Sequence, residues 1–166
     1  MLLDLSKIID MPGASCDFSV SLDLSDLEFG SCAPLKTPVT CSGTVRNTAG
    51  VLMTTGIIHA HLNAICDRCA GEYEDDIEYP LDVVLVTELA DEDHEDERIF
   101  PLEGNNADID EIVRTVFILN MDTKFLCSDD CLGLCCGCGV NLNHGECTCK
   151  KEIDPRFAAL QQLLNK

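Results

Sequence analysis

The stretch from residue 127 to residue 149, CSDDCLGLCCGCGVNLNHGECTC, constrains the fold more than any other, because it holds Cys127, Cys131, Cys135, Cys136, Cys138, Cys147 and Cys149. Thiols so close together imply either a disulfide framework or a module organised by metal. Cys135 and Cys138 are separated by two residues and followed by Gly139. This is the zinc-knuckle pattern, in which a tight turn aims backbone N–H groups at the thiolates. Cys147 and Cys149 supply a second pair across VNLNHGEC, where Asn143 and Gly145 suit a tight reversal. Cys135, Cys138, Cys147 and Cys149 can therefore surround one zinc ion. Cys136 lies between ligands of a site with four places, and reads as a spare thiol.

The rest of the chain favours metal over disulfides. The opening MLLDLSKIID has no basic n-region and no apolar stretch ending at a cleavage site, and no apolar run approaches the roughly 20 residues of a membrane span. A cytoplasmic protein is expected, in a compartment where thiols persist. A further pair, Cys66 and Cys69 in CDRC, follows a strand ending near Ile65. A redox dithiol of the thioredoxin type would open a helix within a βαβ unit, and no such unit is visible. Cys127 and Cys131, left over from the knuckle, complete a second four-thiol site with Cys66 and Cys69. Closing a separation of 58 residues rather than 9 costs about 1.6 kcal/mol more in chain entropy. Structural zinc, at about 10–16 kcal/mol, exceeds that several-fold.

Two zinc ions are thus expected, the first pinning the C-terminal module to the rest of the chain. Arg68, between two of the thiols, reads equally as a hydrogen-bonding neighbour of the thiolates or as a solvated cation. His59 and His61 read as exposed polar positions rather than ligands, and Cys16, Cys32 and Cys41 as small buried hydrophobes.

The fold class that follows is α+β: an antiparallel, β-rich body over residues 1–126, then a cysteine-rich zinc-knuckle module with a C-terminal helix over 127–166. Phe18, Val20, Leu22 and Leu24 alternate as in a strand, before an irregular segment with Pro34 and Pro38. Residues 39–45 and 51–65 are rich in β-branched side chains, with Asn47, Ala49 and Gly50 between them, and predict a hairpin. In its second arm Ile58, Ala60, Leu62 and Ala64 share one face, and His59, His61 and Asn63 a wet one. Ile77, Tyr79, Leu81, Val83, Leu85 and Leu89 repeat the alternation against Asp76, Glu78, Asp82 and Glu88. Asp108 and Glu111 form a capping pair, and Ile109, Ile112, Val113, Val116 and Leu119 follow helical spacing, predicting a helix over 109–120. Asp154 and Pro155 open a second predicted helix with Phe157, Leu160, Leu163 and Leu164 as its stripe.

The formal charge is −19, which argues against broad attraction to a phosphate backbone and for a basic protein partner. Two all-thiolate zinc sites deepen it to roughly −23. Residues 91–97, DEDHEDE, place six carboxylates in seven positions and read as a solvated loop. No nucleophile triad, phosphate-binding glycine loop or catalytic carboxylate pair is visible, so neither an enzyme nor a small-molecule substrate is expected. All-cysteine zinc sites are closed and structural.

The segments CDRC at 66–69, CLGLCCGCGVNLN at 131–143, the Cys147 and Cys149 pair, and DPRFAAL at 154–160 together resemble the YceD family of large ribosomal RNA subunit accumulation proteins. The resemblance covers most of the chain. It departs at Cys136, where the family often has proline, and at Asp122, near where a proline often precedes the cysteine run. The resemblance implies a role in accumulation of large-subunit ribosomal RNA, in a family whose genes commonly neighbour that of a basic large-subunit ribosomal protein. Taken with the acidic charge and the absence of catalytic motifs, the expected function is a non-catalytic factor in large-subunit biogenesis, its partner a basic ribosomal protein or pre-ribosomal particle. Glu74, Asp76 and Glu78 on the strand, with Asp91, Glu92, Asp93, Glu95, Asp96 and Glu97 in the loop, are the candidate contacts. Two alternatives stand beside it. One is direct rRNA binding through the metal module and its cluster of Lys150, Lys151, Arg156 and Lys166, which has few aromatics for stacking. The other is a thiol redox or metal-handling protein.

Overall fold

The computed structural model describes residues 1–29, 33–87 and 98–149. Its centre is a long hairpin of β3 (Val39–Thr48) and β4 (Val51–Ile65), joined by Ala49 and Gly50 alone. Both turn residues take positive φ, 53° and 93°, the left-handed pair that a two-residue hairpin turn requires to match strand twist. Asn47, expected between the strands, instead lies within β3 and is fully buried. Its Nδ2 donates to the carbonyls of Ile8 and Ile9 at 2.8 and 2.6 Å, and its Oδ1 accepts from Gly50 N at 2.8 Å. A residue type common in turns here fastens the turn to α1 (Ser6–Ile9).

Around this hairpin, β2 (Ser15–Leu22) pairs with β3 and β5 (Glu72–Val86) with β4, both antiparallel, while short β6 (Ile99–Pro101) adds to β5 in parallel. The sheet order is β2-β3-β4-β5-β6, and β1 (Leu2–Asp4) with β7 (Asn106–Asp108) forms a separate two-stranded sheet. Gly43 and Gly56 face each other across β3 and β4; a Cβ on Gly43 would lie 2.5 Å from Thr55 O and 2.8 Å from the Phe18 ring. The missing side chains let that ring lie over the backbone.

The helix α2 (Ile109–Asn120) spans the predicted range. The Asp108 side chain accepts from Asp110 N at 3.1 Å and Glu111 N at 3.5 Å, the arrangement that satisfies free N–H groups at a helix start. Ile109, Ile112, Val113 and Val116 are buried as their spacing predicts; Leu119 instead is half exposed, and Phe117 takes the inward place. Strand alternation is also as read. Ile58, Ala60, Leu62 and Ala64 of β4 meet Leu81, Val83 and Leu85 of β5 and the helix in one core, with His59, His61 and Asn63 on the other face. The fold is α+β and dominated by antiparallel strands, with the cysteine clusters at the closed tip of the β4–β5 hairpin and after α2. Cys41 is buried and Cys16 half-buried. Cys32, Glu88, Leu89, the acidic run 91–97 and the second predicted helix lie outside the described residues. Among the described residues, no helix is long and apolar enough to cross a membrane.

Candidate metal centres

The connection from β4 to β5 is the CDRC segment. Its chain closes tightly, with Cys66 N donating to Gly71 O and Ala70 N to Cys66 O, both at 2.8 Å, and Ala70 held at φ 55°. Both thiols therefore sit on a short rigid loop at the tip of a long hairpin. The segment following α2 is fastened to that loop by two reciprocal bonds, Asp67 N to Phe125 O and Phe125 N to Asp67 Oδ2, each 2.8 Å. This brings Cys127 and Cys131 against Cys66 and Cys69. Sγ of Cys66 lies 3.8 Å from that of Cys131, Sγ of Cys69 lies 3.7 Å from that of Cys127, and all four sulfurs fall within 4.8 Å of one another.

A tetrahedral ion with bonds of about 2.3 Å separates its sulfur ligands by about 3.8 Å. A disulfide requires about 2.05 Å. The first cluster thus has the spacing of a four-coordinate metal site.

The second cluster is built from residues 135–149 alone. Cys135 N donates to Val140 O and Gly139 N to Cys135 O at 2.8 Å, with Gly139 at φ 73°. Gly137 N points at Cys135 Sγ (3.4 Å) and Cys149 N at Cys147 Sγ (3.3 Å), the knuckle geometry of N–H groups aimed at sulfur. Cys147 Sγ is 3.1 Å from Cys135 Sγ and 3.6 Å from Cys138 Sγ, and these three with Cys149 again lie within 4.8 Å. The 3.1 Å edge is tighter than that of a filled tetrahedron, and the 3.6 Å edge fits one. Cys136 is exposed and belongs to neither set. Each cluster could hold one metal ion.

Proton affinities follow from this crowding. Burial pushes the Cys66 thiol up, but backbone N–H groups of Cys127, Cys69 and Arg68 outweigh it and bring it down to about 6. Cys127, donating to Cys66 and Cys131, is pushed up to about 12. In the second cluster Cys135 falls to about 6 through the Cys147 thiol, and Cys149 rises to about 12 through Cys138. In both, thiols share protons that a dication would replace.

Arg68 is exposed and its side chain reaches carbonyls rather than sulfurs. Its guanidinium donates to the carbonyls of Asp129 (2.8 Å) and Cys131 (3.3 Å), while its own carbonyl accepts from Leu134 N at 3.0 Å. It therefore ties the hairpin loop to the chain entering the knuckle.

Asn143, read only as a turn residue, donates from Nδ2 to Cys131 Sγ at 3.3 Å and accepts at Oδ1 from Leu132 N at 2.8 Å. A side chain of the second cluster's loop thus holds a thiol of the first, and nothing in sequence spacing could have marked it.

His59 and His61 point away from both clusters, pairing across the strands with Glu78 (3.1 Å) and Asp76 (2.7 Å). Glu74, Asp76 and Glu78 are exposed on that same outer face. The other candidate contacts, 91–97, lie outside the described residues.

A sequence model of the family described as large ribosomal RNA subunit accumulation protein YceD matches residues 54–164, which include both cysteine sets. A chloroplastic large ribosomal RNA subunit accumulation protein YCED homolog of Zea mays is 28% identical over 145 residues, covering 69% of this chain and 50% of the maize protein. This chain therefore spans about half the length of that relative. Uncharacterised proteins of Mycobacterium tuberculosis and Mycobacterium bovis are 22% identical over 174 residues, 99% of this chain and 81% of theirs. No solved structure matches. With the match extending over two thirds of its length and every clustered thiol, the chain belongs to the YceD family.

Proposed function

We propose that this protein is a non-catalytic, zinc-stabilised factor of the cytoplasm that supports accumulation of large-subunit ribosomal RNA by holding a basic ribosomal protein during assembly. The reading is carried by family membership across the residues that bear both clusters. Zinc is the metal of choice for four thiolates at tetrahedral spacing, since soft sulfur ligands and closed four-coordination suit it. When bound it would supply charge neutralisation and crosslinking only, because no ligand place is left for water or substrate. Cys66, Cys69, Cys127 and Cys131 would hold the first ion, and Cys135, Cys138, Cys147 and Cys149 the second. In this reading residues 1–126 form the body and 127–166 the metal module, with the first ion joining the two.

The charge of −19 supports a basic protein over RNA as the direct partner, since a polyanion would be repelled. The test is depletion of the protein followed by measurement of the ratio of large- to small-subunit rRNA. The ratio is expected to fall and to be restored by the wild-type chain but not by Cys66→Ser. Recovery of a basic large-subunit ribosomal protein in a low-salt pull-down, lost as salt rises, is expected alongside. An unchanged rRNA ratio overturns the reading.

A further inference from the structure

One residue of β5 breaks its alternation. The core-facing row runs Tyr73, Asp75, Ile77, Tyr79, Leu81, Val83, so Asp75 occupies an apolar place opposite Leu62, yet is exposed. A carboxylate on the inner face of a sheet violates local consistency, and such violations concentrate at functional sites. It is exposed because residues 121–129, which continue from α2 alongside this half of β5, leave a groove of about 350 Å³ against it. Leu62, Tyr73, Ile77, Tyr79 and Phe125 supply its apolar lining, and Asp75, Asp122 and Asp129 line it too against the single charge of Lys124.

The groove is built rather than accidental. Tyr79 packs edge-on to Phe117 at 5.8 Å and Phe125 edge-on to Phe29 at 6.3 Å, so both walls are fixed to the core. The outer wall is also held by the Asp67 bonds to Phe125 and by Cys127 in the first cluster. On the opposite face, His59 and His61 already answer Glu78 and Asp76. Among the described residues, no Lys, Arg or His forms an ion pair with Asp75, Asp122 or Asp129. Their field reaches the apolar lining: burial first, and then Asp122, holds the Tyr79 phenol above its ordinary value.

We propose that this groove, rather than the acidic outer face, seats the anchor of a basic protein partner, an arginine or lysine whose stem lies on the tyrosines and whose head reaches the three aspartates. The chemistry is complementary at both ends. Aliphatic stems cover aromatic surface, cations favour ring faces, and arginine in an apolar pocket with an acidic rim is a common centre of binding energy. Nucleic acid has no such fit, because its phosphates would meet the same carboxylates. The inference rests on the basic-partner reading but places the partner where that reading did not.

The molecule carries its own reporter. It has no Trp, and its two tyrosines, Tyr73 and Tyr79, both line the groove. A capped peptide of alternating arginine and leucine, free of aromatics, is titrated into the full metal-loaded chain while tyrosine emission is followed. A saturable change is expected, with affinity at least about fivefold weaker in Asp122→Asn/Asp129→Asn, two exposed and near-isosteric changes, and within about twofold of wild type in Glu74→Gln/Glu78→Gln. Unfolding midpoints of both variants are to match wild type.

Equal weakening by both variants would mean charge attraction without a seat, and overturns the proposal. Weakening by the outer-face pair alone overturns it while leaving the basic-partner reading standing. So does a silent groove in a protein that still retains a ribosomal protein in pull-down. Tighter peptide binding on replacing Lys150, Lys151 and Arg156 by serine would make the chain's own C-terminal segment the occupant, and also overturns it.

Discussion

The first cluster draws its thiols from two segments 58 residues apart and buries Cys66, Cys69 and Cys131, whereas the second takes all four from residues 135–149 and buries none of them. The donor chemistry is the same, but what closure does to the chain is different. A crosslink between the β4–β5 tip and the segment after α2 restricts the unfolded chain between residues 66 and 131 and completes a small core of Cys66, Cys69 and Cys131 against Tyr73 and Leu126. A crosslink within one reversal restricts little beyond itself. Metal in the first place would therefore be part of global stability, and metal in the second would be local order.

The sharpest way to break this contrast is to remove one ligand from each cluster. Cys66→Ser is expected to lower the bound metals from two to one, and to lower the unfolding midpoint of the whole chain by about 10 °C. Even a third of the stabilisation of structural zinc suffices for that in a chain of this size. Cys138→Ser is expected to remove one metal too, but to move the midpoint by less than about 3 °C. Native mass spectrometry counts the ions and calorimetry reads the midpoint. Equal drops in midpoint would mean that the two clusters are one cooperative unit.

A smaller effect is expected where the two regions touch through backbone alone. Gly133 has φ 74°, and a Cβ there would lie 2.9 Å from Arg68 O, the carbonyl that receives Leu134 N. Gly133→Ala combines left-handed strain with a contact that neither backbone can yield easily, and is expected to cost about 2 kcal/mol. Thermal unfolding of the metal-loaded variant measures it. No loss would show that the link between loop and knuckle is slack.

What sequence could announce divides along a related line. The β3–β4 hairpin, α2 and the two cysteine quartets were legible, because alternation, helical spacing, a cap and paired thiols are all local signals. β1, β6, β7 and α1 were not. Strands of three residues and a helix of four have no period to read, and they exist because distant groups complete them, as Asn47 does for the carbonyls that end α1. Arg68 and Asn143 escaped for the same reason. Each acts through partners that only the closed fold supplies, and the carbonyls that receive the Arg68 guanidinium lie 61 and 63 residues away.

Asn143 is where the contrast between clusters can be sharpened most finely, since it belongs to the loop of the second and bonds to a thiol of the first. Losing a hydrogen bond to a ligand atom commonly weakens metal binding about 10- to 100-fold. The bond to Cys131, at 3.3 Å, is of ordinary length for a sulfur acceptor, so Asn143→Ala should release metal from the first cluster at least about tenfold faster to a chelator, with release from the second unchanged. The orientation of Asn143 depends in turn on the reversal that the second cluster closes. In a Cys138→Ser background, where that reversal is no longer tied, the amide has already lost its aim, and Asn143→Ala should add little. Non-additivity of this kind is the signature of coupling through a shared side chain. Were the two effects simply to multiply, the clusters would be independent sites on one chain, and the bond from Asn143 to Cys131 would carry no communication between them.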